Sequence, residues 1–163
     1  MRRSDNRPVS ESSFARLWLR DSRAPEYYRR PLRGLAVATG ETAYLAAWRN
    51  ETITVLETIE GAQAVRVAGL SVGYGDDVHA RASGKLLLAF APPADRDRLL
   101  SQARLRPLTS KTITDRGRLD EELEHIRRER IAFDLGEFAD GVFCVSAPIT
   151  EDGVVVGWRG AGR

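Results

Sequence analysis

The stretch HARASGKLLLAFA, residues 79–91, decides how the rest of the chain is arranged. A glycine-rich loop at residues 69–77 leads into it, and Pro92-Pro93 follow the apolar run 86–91. Because proline cannot continue a helix, the pattern predicts a loop and then a helix that stops at the prolines. Patterns typical of β-strands come before and after this helix in the sequence, so the helix separates two groups of predicted strands.

The segment before the loop has the alternation of β-strands. Residues 42–48 (TAYLAAW) predict one strand, Arg49-Asn50-Glu51 a turn, and Thr52–Ile59 a second strand. Residues 64–68 are expected to add a third. Strands in hairpin succession favour an antiparallel sheet.

The segment after residue 91 returns from helices to strands. A short helix is predicted at Ala94–Ser101, and a longer one at Leu119–Arg130, where apolar residues recur at helical spacing, acids come first and arginines last. Strands are predicted at Ile131–Leu135, Val142–Ile149 and Val154–Trp158. The order of strands, helices and strands predicts an α+β fold, an antiparallel sheet flanked by helices.

Composition restricts the class of protein. A chain of 163 residues, with 42% hydrophobic and 29% charged residues, is typical of one globular domain. We find neither an apolar run long enough for a membrane span nor a secretory signal, so no membrane contact is expected. The single cysteine, Cys144, excludes an internal disulfide and fits a reducing cytoplasm.

The first 30 residues differ from the remainder. They are polar and rich in arginine, and Ser10 is placed to cap a short helix with Phe14, Leu17 and Trp18 on one face. We interpret residues 1–30 as a lead-in or linker and residues 31–163 as the folded domain. The lead-in is too short for a winged helix-turn-helix, so this chain is not expected to read DNA by itself.

Catalytic and metal-binding patterns are weak. Ser83-Gly84-Lys85 resembles part of a P-loop, but Leu86 stands where that motif needs a hydroxyl. A thiol enzyme would combine Cys144 with His79 and Asp134, yet Cys144 lies in an apolar strand, where cysteine is usually a small buried hydrophobe. Two histidines far apart in sequence offer no metal site. We therefore expect no enzyme activity, cofactor or metal.

The start of the 82–91 helix leaves two interpretations open. Unpaired N–H groups at a helix N-terminus bind carboxylates, and the small residues Ala82, Ser83 and Gly84 would let a ligand approach. The same small residues would equally let the helix pack closely on the sheet. The residues alone do not choose between them.

Several separated motifs, in order, resemble the effector-binding domain of IclR-type transcription regulators. They are residues 31–45, the motif of residues 79–89, the spacing of Leu108-Thr109, Thr112-Ile113, Leu119 and Leu123, and finally DLGEF at 134–138, Gly141-Val142 and CVSAPI at 144–149. The resemblance implies a GAF-like fold with a pocket for a small organic effector. It also implies a dimer or tetramer whose DNA contacts come only through a winged helix-turn-helix missing from this chain.

The resemblance also implies which residues bind the effector. Ala82 and Ser83 match positions whose backbone N–H groups receive an effector carboxylate, and Asp134 and Cys144 match pocket-lining positions. Two serines on the last strand of family pockets fall near Arg159 and Ala161, and neither is serine here. Either Arg159 pairs with a carboxylate ligand or the strand diverges from the family. The family continues past the position of Arg163, so we expect the domain to be truncated at its C-terminal end.

Three functional hypotheses follow. The first is a sensor domain that binds a small carboxylate and couples it to DNA binding elsewhere in the parent regulator. The second is a stand-alone interaction module with the same fold and an occluded pocket. The third is a thiol enzyme that uses Cys144.

Overall fold

The computed structural model describes residue 24 and residues 26–49, 51–62, 70–151 and 154–162, with the backbone alone for 151 and 154–162. Four helices and five strands follow one another in the described residues: α1 Glu26–Thr39, β1 Thr42–Arg49, β2 Thr52–Ile59, α2 Ala82–Phe90, α3 Pro93–Gln102, α4 Arg116–Glu129, β3 Ala132–Leu135, β4 Phe143–Glu151 and β5 Val154–Gly162. The short helix predicted at residues 10–18 and the strand predicted at 64–68 lie outside the described residues.

One five-stranded sheet, in the order β2-β1-β5-β4-β3, organises the molecule. Every neighbouring pair is antiparallel. Two strands come from the first part of the described chain and three from the last, and helix α2 of the middle segment packs on the sheet that these strands form. The predicted fold, an antiparallel sheet flanked by helices, is confirmed.

The helices after the loop were predicted with small errors at their ends. α4 begins at Arg116 rather than Leu119 because Asp115 caps it, its carboxylate accepting a hydrogen bond from the N–H of Arg118 at 2.9 Å. The helix ends where Arg130 adopts a left-handed conformation, with φ of 57°. Leu119, Leu123 and Ile126 form its buried face, as the spacing predicted.

Helix α1 was not predicted. It contains Pro31, which cannot donate a hydrogen bond to the preceding turn, so sequence rules favour a break there. Tertiary packing outweighs this cost, since Tyr28, Leu32 and Ala36 form a buried stripe and Arg29 pairs with Glu57 of β2 at 3.2 Å. The helix runs through the boundary placed at residue 31, and the division of the chain into lead-in and domain remains a prediction.

One face of the sheet, which we call the inner face, is covered by α2 and α4. Residues directly opposite on neighbouring strands share a face, and on this face Asp134 pairs with Cys144 and Ala132 with Ser146. All four are buried. α2 packs on β3, β4 and β5 here, and α4 packs behind α2.

The opposite, outer face is covered only in part. α1 packs over β1 and β5, and a cleft of about 400 Å³ lies between α1 and the sheet, lined by Tyr27, Tyr28, Pro31, Leu32, Leu45, Pro148, Ile149 and Thr150. Farther along the outer face, Phe133, Leu135 and Phe143 are about half exposed.

Candidate ligand site at the start of helix α2

The first turn of α2 lies inside the protein. All nine residues of α2 are buried. Arg81, the N-cap residue of this helix, makes no side-chain hydrogen bond to it. The first N–H of the helix that has a backbone acceptor in the described residues is that of Lys85, which donates to the carbonyl of Arg81 at 2.9 Å. The N–H groups of the three residues before it have no such acceptor there. A buried helix start without a side-chain cap or an acidic residue in its first turn is suited to an anion.

The small residues of this turn also have a packing role. A Cβ added at Gly84 would lie 2.1 Å from the carbonyl oxygen of Val78, closer than any contact allows. Gly84 therefore lets the preceding loop cross the helix closely. The packing interpretation therefore applies to Gly84, while ligand binding by Ala82 and Ser83, at the uncapped end of the helix, remains a prediction.

Lys85 fixes the helix to its surroundings. Its ammonium is fully buried and lies 2.6 Å from Glu137 Oε1 and 3.2 Å from Glu122 Oε1. Burial raises the pKa of Glu137, and the Lys85 charge opposes that rise. The Gly84-Lys85 pair of the motif is thus structural, tying α2 to α4 and to the loop after β3.

Asp134 orders the loop that follows it. Its Oδ1 accepts hydrogen bonds from the N–H groups of Gly136, Glu137 and Phe138 at 3.1, 2.7 and 3.2 Å. The turn requires a φ of +88° at Gly136, a conformation that glycine adopts without strain. Burial raises the pKa of Asp134, while these hydrogen bonds and Lys85 oppose the rise.

Cys144 lies opposite Asp134 on the inner face. Burial, together with the nearby Asp134 carboxylate, raises the pKa of its thiol to about 12. The thiol is therefore protonated at neutral pH, which disfavours the thiolate that a thiol enzyme would need. Two residues along β4, the hydroxyl of Ser146 is also buried and has no hydrogen-bond partner in the part of the chain that the structure describes.

His79 is engaged elsewhere. Its buried ring places Nε2 3.1 Å from the carbonyl oxygen of Arg106, and no hydrogen bond among the described residues joins it to Cys144. Burial lowers its pKa, so the ring is neutral at pH 7. We also find no group of three or more metal-ligating side chains in the parts of the chain that the structure describes.

Arg81 and Tyr74 lie beside the start of α2, although neither was predicted from the sequence as a ligand residue. The Arg81 side chain is buried, with Cζ 5.3 Å from the centroid of the Tyr74 ring. Tyr74 makes an edge contact with Phe138 at 5.9 Å between centroids. Because the Phe138 N–H bonds to Asp134, these contacts join the start of α2 to Asp134. The sequence shows Arg81 only as a charged residue within the motif of residues 79–89. Its contacts could not be predicted from that motif.

The predicted ligand residues are thus partly brought together. Ala82 and Ser83 begin α2, and Asp134 and Cys144 pair on the inner face beneath it. Arg159 lies on the central strand, at a register position shared with Leu45 and Ala147, whereas Cys144 pairs with Gly162. The role of Arg159 in ligand binding remains a prediction. The cleft under α1 is on the other side of the sheet from Asp134 and Cys144.

Comparison with known proteins agrees with this architecture. Residues 24–157 match the family model described as bacterial transcriptional regulator IclR C-terminal. The chain belongs to the IclR family. It is 37% identical over 132 residues to the HTH-type transcriptional regulator BhcR of Paracoccus denitrificans, a match that covers 81% of this chain and 47% of that protein. This IclR-family chain therefore spans about half the length of the curated relatives it matches.

Solved structures of the IclR family share the fold. IclR of Thermotoga maritima superposes with a TM-score of 0.77 at 29% identity, covering 93% of this chain and 61% of that one. An IclR homologue from Microbacterium hydrocarbonoxydans, solved in complex with 4-hydroxybenzoate, superposes with a TM-score of 0.73 at 27% identity, covering 91% and 63%. In the described part of this chain, no helix is long and apolar enough to cross a membrane.

Proposed function

We propose that this IclR-type domain senses a small organic carboxylate, bound at the start of α2 against the inner face of the sheet. The observation that carries the proposal is the buried, uncapped helix start, joined through Tyr74 and Phe138 to Asp134. The N–H groups of Ala82 and Ser83 would donate hydrogen bonds to the carboxylate, and Cys144 would form part of the wall. The 4-hydroxybenzoate complex of a relative with the same fold supports a small acid as the ligand.

The sensing role is completed outside this domain. We infer that the parent regulator is cytoplasmic and carries a winged helix-turn-helix, and that the domains assemble as homodimers or tetramers. The effector would stabilise one arrangement of that assembly over another and thereby change DNA affinity, typically with 1–3 kcal/mol of coupling. Catalysis has no part in this mechanism.

Thermal unfolding of the chain with small carboxylates tests the proposal. Acetate, glyoxylate, benzoate and 4-hydroxybenzoate at millimolar concentration are suitable probes. A ligand at 100 times its Kd adds about 2.7 kcal/mol to the free energy of unfolding. We expect at least one probe to raise Tm by several degrees, and no rise with any of them would favour an interaction module with an occluded pocket.

A proline variant tests the location. Ala82→Pro removes one N–H at the first helical position, where proline is tolerated because Arg81 is extended. We expect Ala82→Pro to weaken carboxylate binding roughly 10- to 100-fold, the effect of losing a hydrogen bond to a charge. Arg116→Pro is the matched control, since Asp115 is equally extended before α4. Equal binding by both variants would place the ligand elsewhere.

A further inference from the structure

Arg81 is a buried cation without an ionic partner among the described residues. The residue is 1% exposed, and Nη2 donates to the carbonyl oxygen of Ile53 at 3.1 Å. Its Nε and Nη1 are buried and have no hydrogen-bond partner among the described residues. At least three of the five N–H groups that a guanidinium carries, one on Nε and two on Nη1, are therefore without an acceptor in the described part of the chain.

Asp77, whose charge acts on Arg81, already has other hydrogen-bond partners. Asp77 accepts two hydrogen bonds from Arg106, at 2.8 and 2.7 Å, and a third from the Tyr74 hydroxyl at 2.8 Å. The Asp77 carboxylate attracts the Arg81 guanidinium through its charge, and no hydrogen bond among the described residues joins the two side chains. Leaving buried charged donors unpaired costs several kcal/mol, so natural proteins seldom retain them without a purpose.

The free donors belong to the residue at which the proposed ligand site begins. Arg81 is the cap residue of α2, so its guanidinium and the N–H groups of Ala82 and Ser83 leave the chain at adjacent positions. The Tyr74 ring lies against the guanidinium, and Phe138 lies against Tyr74. A cation and a helix N-terminus thus bring the same sign of charge to a site with aromatic walls.

We propose that Arg81 is a specificity residue of this domain, supplying its free N–H groups to the effector carboxylate. This inference rests on the proposed function and adds to it a preference for one chemical form of the ligand. The site selects the ionised acid over its neutral amide, because an amide leaves the Arg81 charge uncompensated.

The test compares acid with amide in wild type and variants of the whole chain. The probes are the carboxylate with the largest Tm shift in the panel above and its primary amide, for example 4-hydroxybenzoate and 4-hydroxybenzamide. Wild type should bind the acid at least 10-fold more tightly than the amide by calorimetric titration. In Arg81→Met, acid binding should fall roughly 10- to 100-fold and the preference for the acid should disappear.

Arg127→Met is the matched control. Arg127 also donates to a backbone carbonyl, that of Ala89 at 2.8 Å, at the opposite end of α2, roughly 10 Å from its start. The control should keep the wild-type preference. Arg81→Gln, which retains a donor for Ile53, replaces Arg81→Met if the latter does not fold, and should likewise lose the preference.

Each outcome has a distinct meaning. Unchanged acid preference in the Arg81 variants, with binding intact in wild type, overturns the role of Arg81 and leaves the sensor function standing. Equal weakening of acid and amide shows a structural role and also overturns it. Failure of wild type to bind any carboxylate contradicts the proposed function itself.

Discussion

Two buried cations, Arg81 and Lys85, stand one helical turn apart with opposite surroundings. Lys85 has two carboxylates within 3.2 Å, whereas Arg81 has a carbonyl, a ring and unused donors. A buried ion pair holds its geometry because removal of either partner leaves a charge that the interior cannot solvate. Lys85 therefore belongs to the scaffold of the site, and Arg81 is the cation that remains available to a ligand.

Lys85→Met should destabilise the domain by about 3–5 kcal/mol, because Glu137 loses its counter-ion inside the protein. The chain's other lysine provides the control. Lys111 is exposed and donates to the carbonyl of Leu135 at 3.3 Å, so Lys111→Met should change stability by less than about 1 kcal/mol. Urea unfolding of both variants measures the difference, and similar losses would contradict the structural role of Lys85.

Cys144 should be almost unreactive in the native protein. Its pKa is about 12 against an ordinary value of 9.0, so native thiolate at pH 8 is roughly 1,000-fold scarcer than in the unfolded chain. Iodoacetamide labelling followed by mass spectrometry should be slow without urea and fast with it. Because the folded pKa is raised, this thiol's contribution to stability is complete below pH 9 and declines as pH rises towards 12. Rapid native labelling would support a thiol enzyme instead.

At the scale of the element, the sequence predicted what depends on local pattern. α2 and α4 were found because prolines, apolar spacing and charge order mark them, and the strands because of their alternation. α1 was missed because the partners of its buried stripe lie on the sheet, and Pro31 opposes a helix locally. The contact of Arg81 with Tyr74 could not be predicted either, since it depends on where the loop at 70–77 lies against α2.

Two glycines in helices should respond oppositely to alanine. Gly84→Ala places a methyl 2.1 Å from the Val78 carbonyl, so the loop or α2 must move, and we expect a loss of several kcal/mol or no folded protein. Gly34, in α1, has nothing within 4 Å of its added Cβ. Gly34→Ala should therefore gain about 0.5–1 kcal/mol from helix propensity. Thermal unfolding of both variants measures these changes. A stabilised Gly84→Ala would show that the close approach of the Val78 carbonyl to α2 is not required.

At the scale of the whole molecule, the two faces of the sheet differ in their cover. The inner face is buried beneath α2 and α4, whereas Phe133, Leu135 and Phe143 on the outer face remain about half exposed beyond α1. The interior that stabilises the domain is thus concentrated on the side of the candidate site. Exposed apolar groups of this kind contribute little to the stability of the isolated chain.

The double variant Phe133→Ser, Leu135→Ser should keep the free energy of unfolding within about 1 kcal/mol of wild type, while binding of the dye ANS decreases. Leu119→Ala, a fully buried α4 residue, should instead cost about 2–5 kcal/mol. Urea titration and dye fluorescence distinguish them. A loss in the double variant as large as that of Leu119→Ala would mean that the outer face stabilises the fold.

The central position of β5 has a consequence for how the protein can be synthesised. The last strand along the chain lies between β1 and β4, so the hairpin of β1 and β2 has no contact with β4 across the sheet until residues 154–162 have left the ribosome. Until β5 has been made, the nascent chain holds two unjoined halves of the sheet, with apolar strand edges open to other chains. A stop codon just before residue 154 would therefore leave the sheet in two halves even though four of its five described strands had been made.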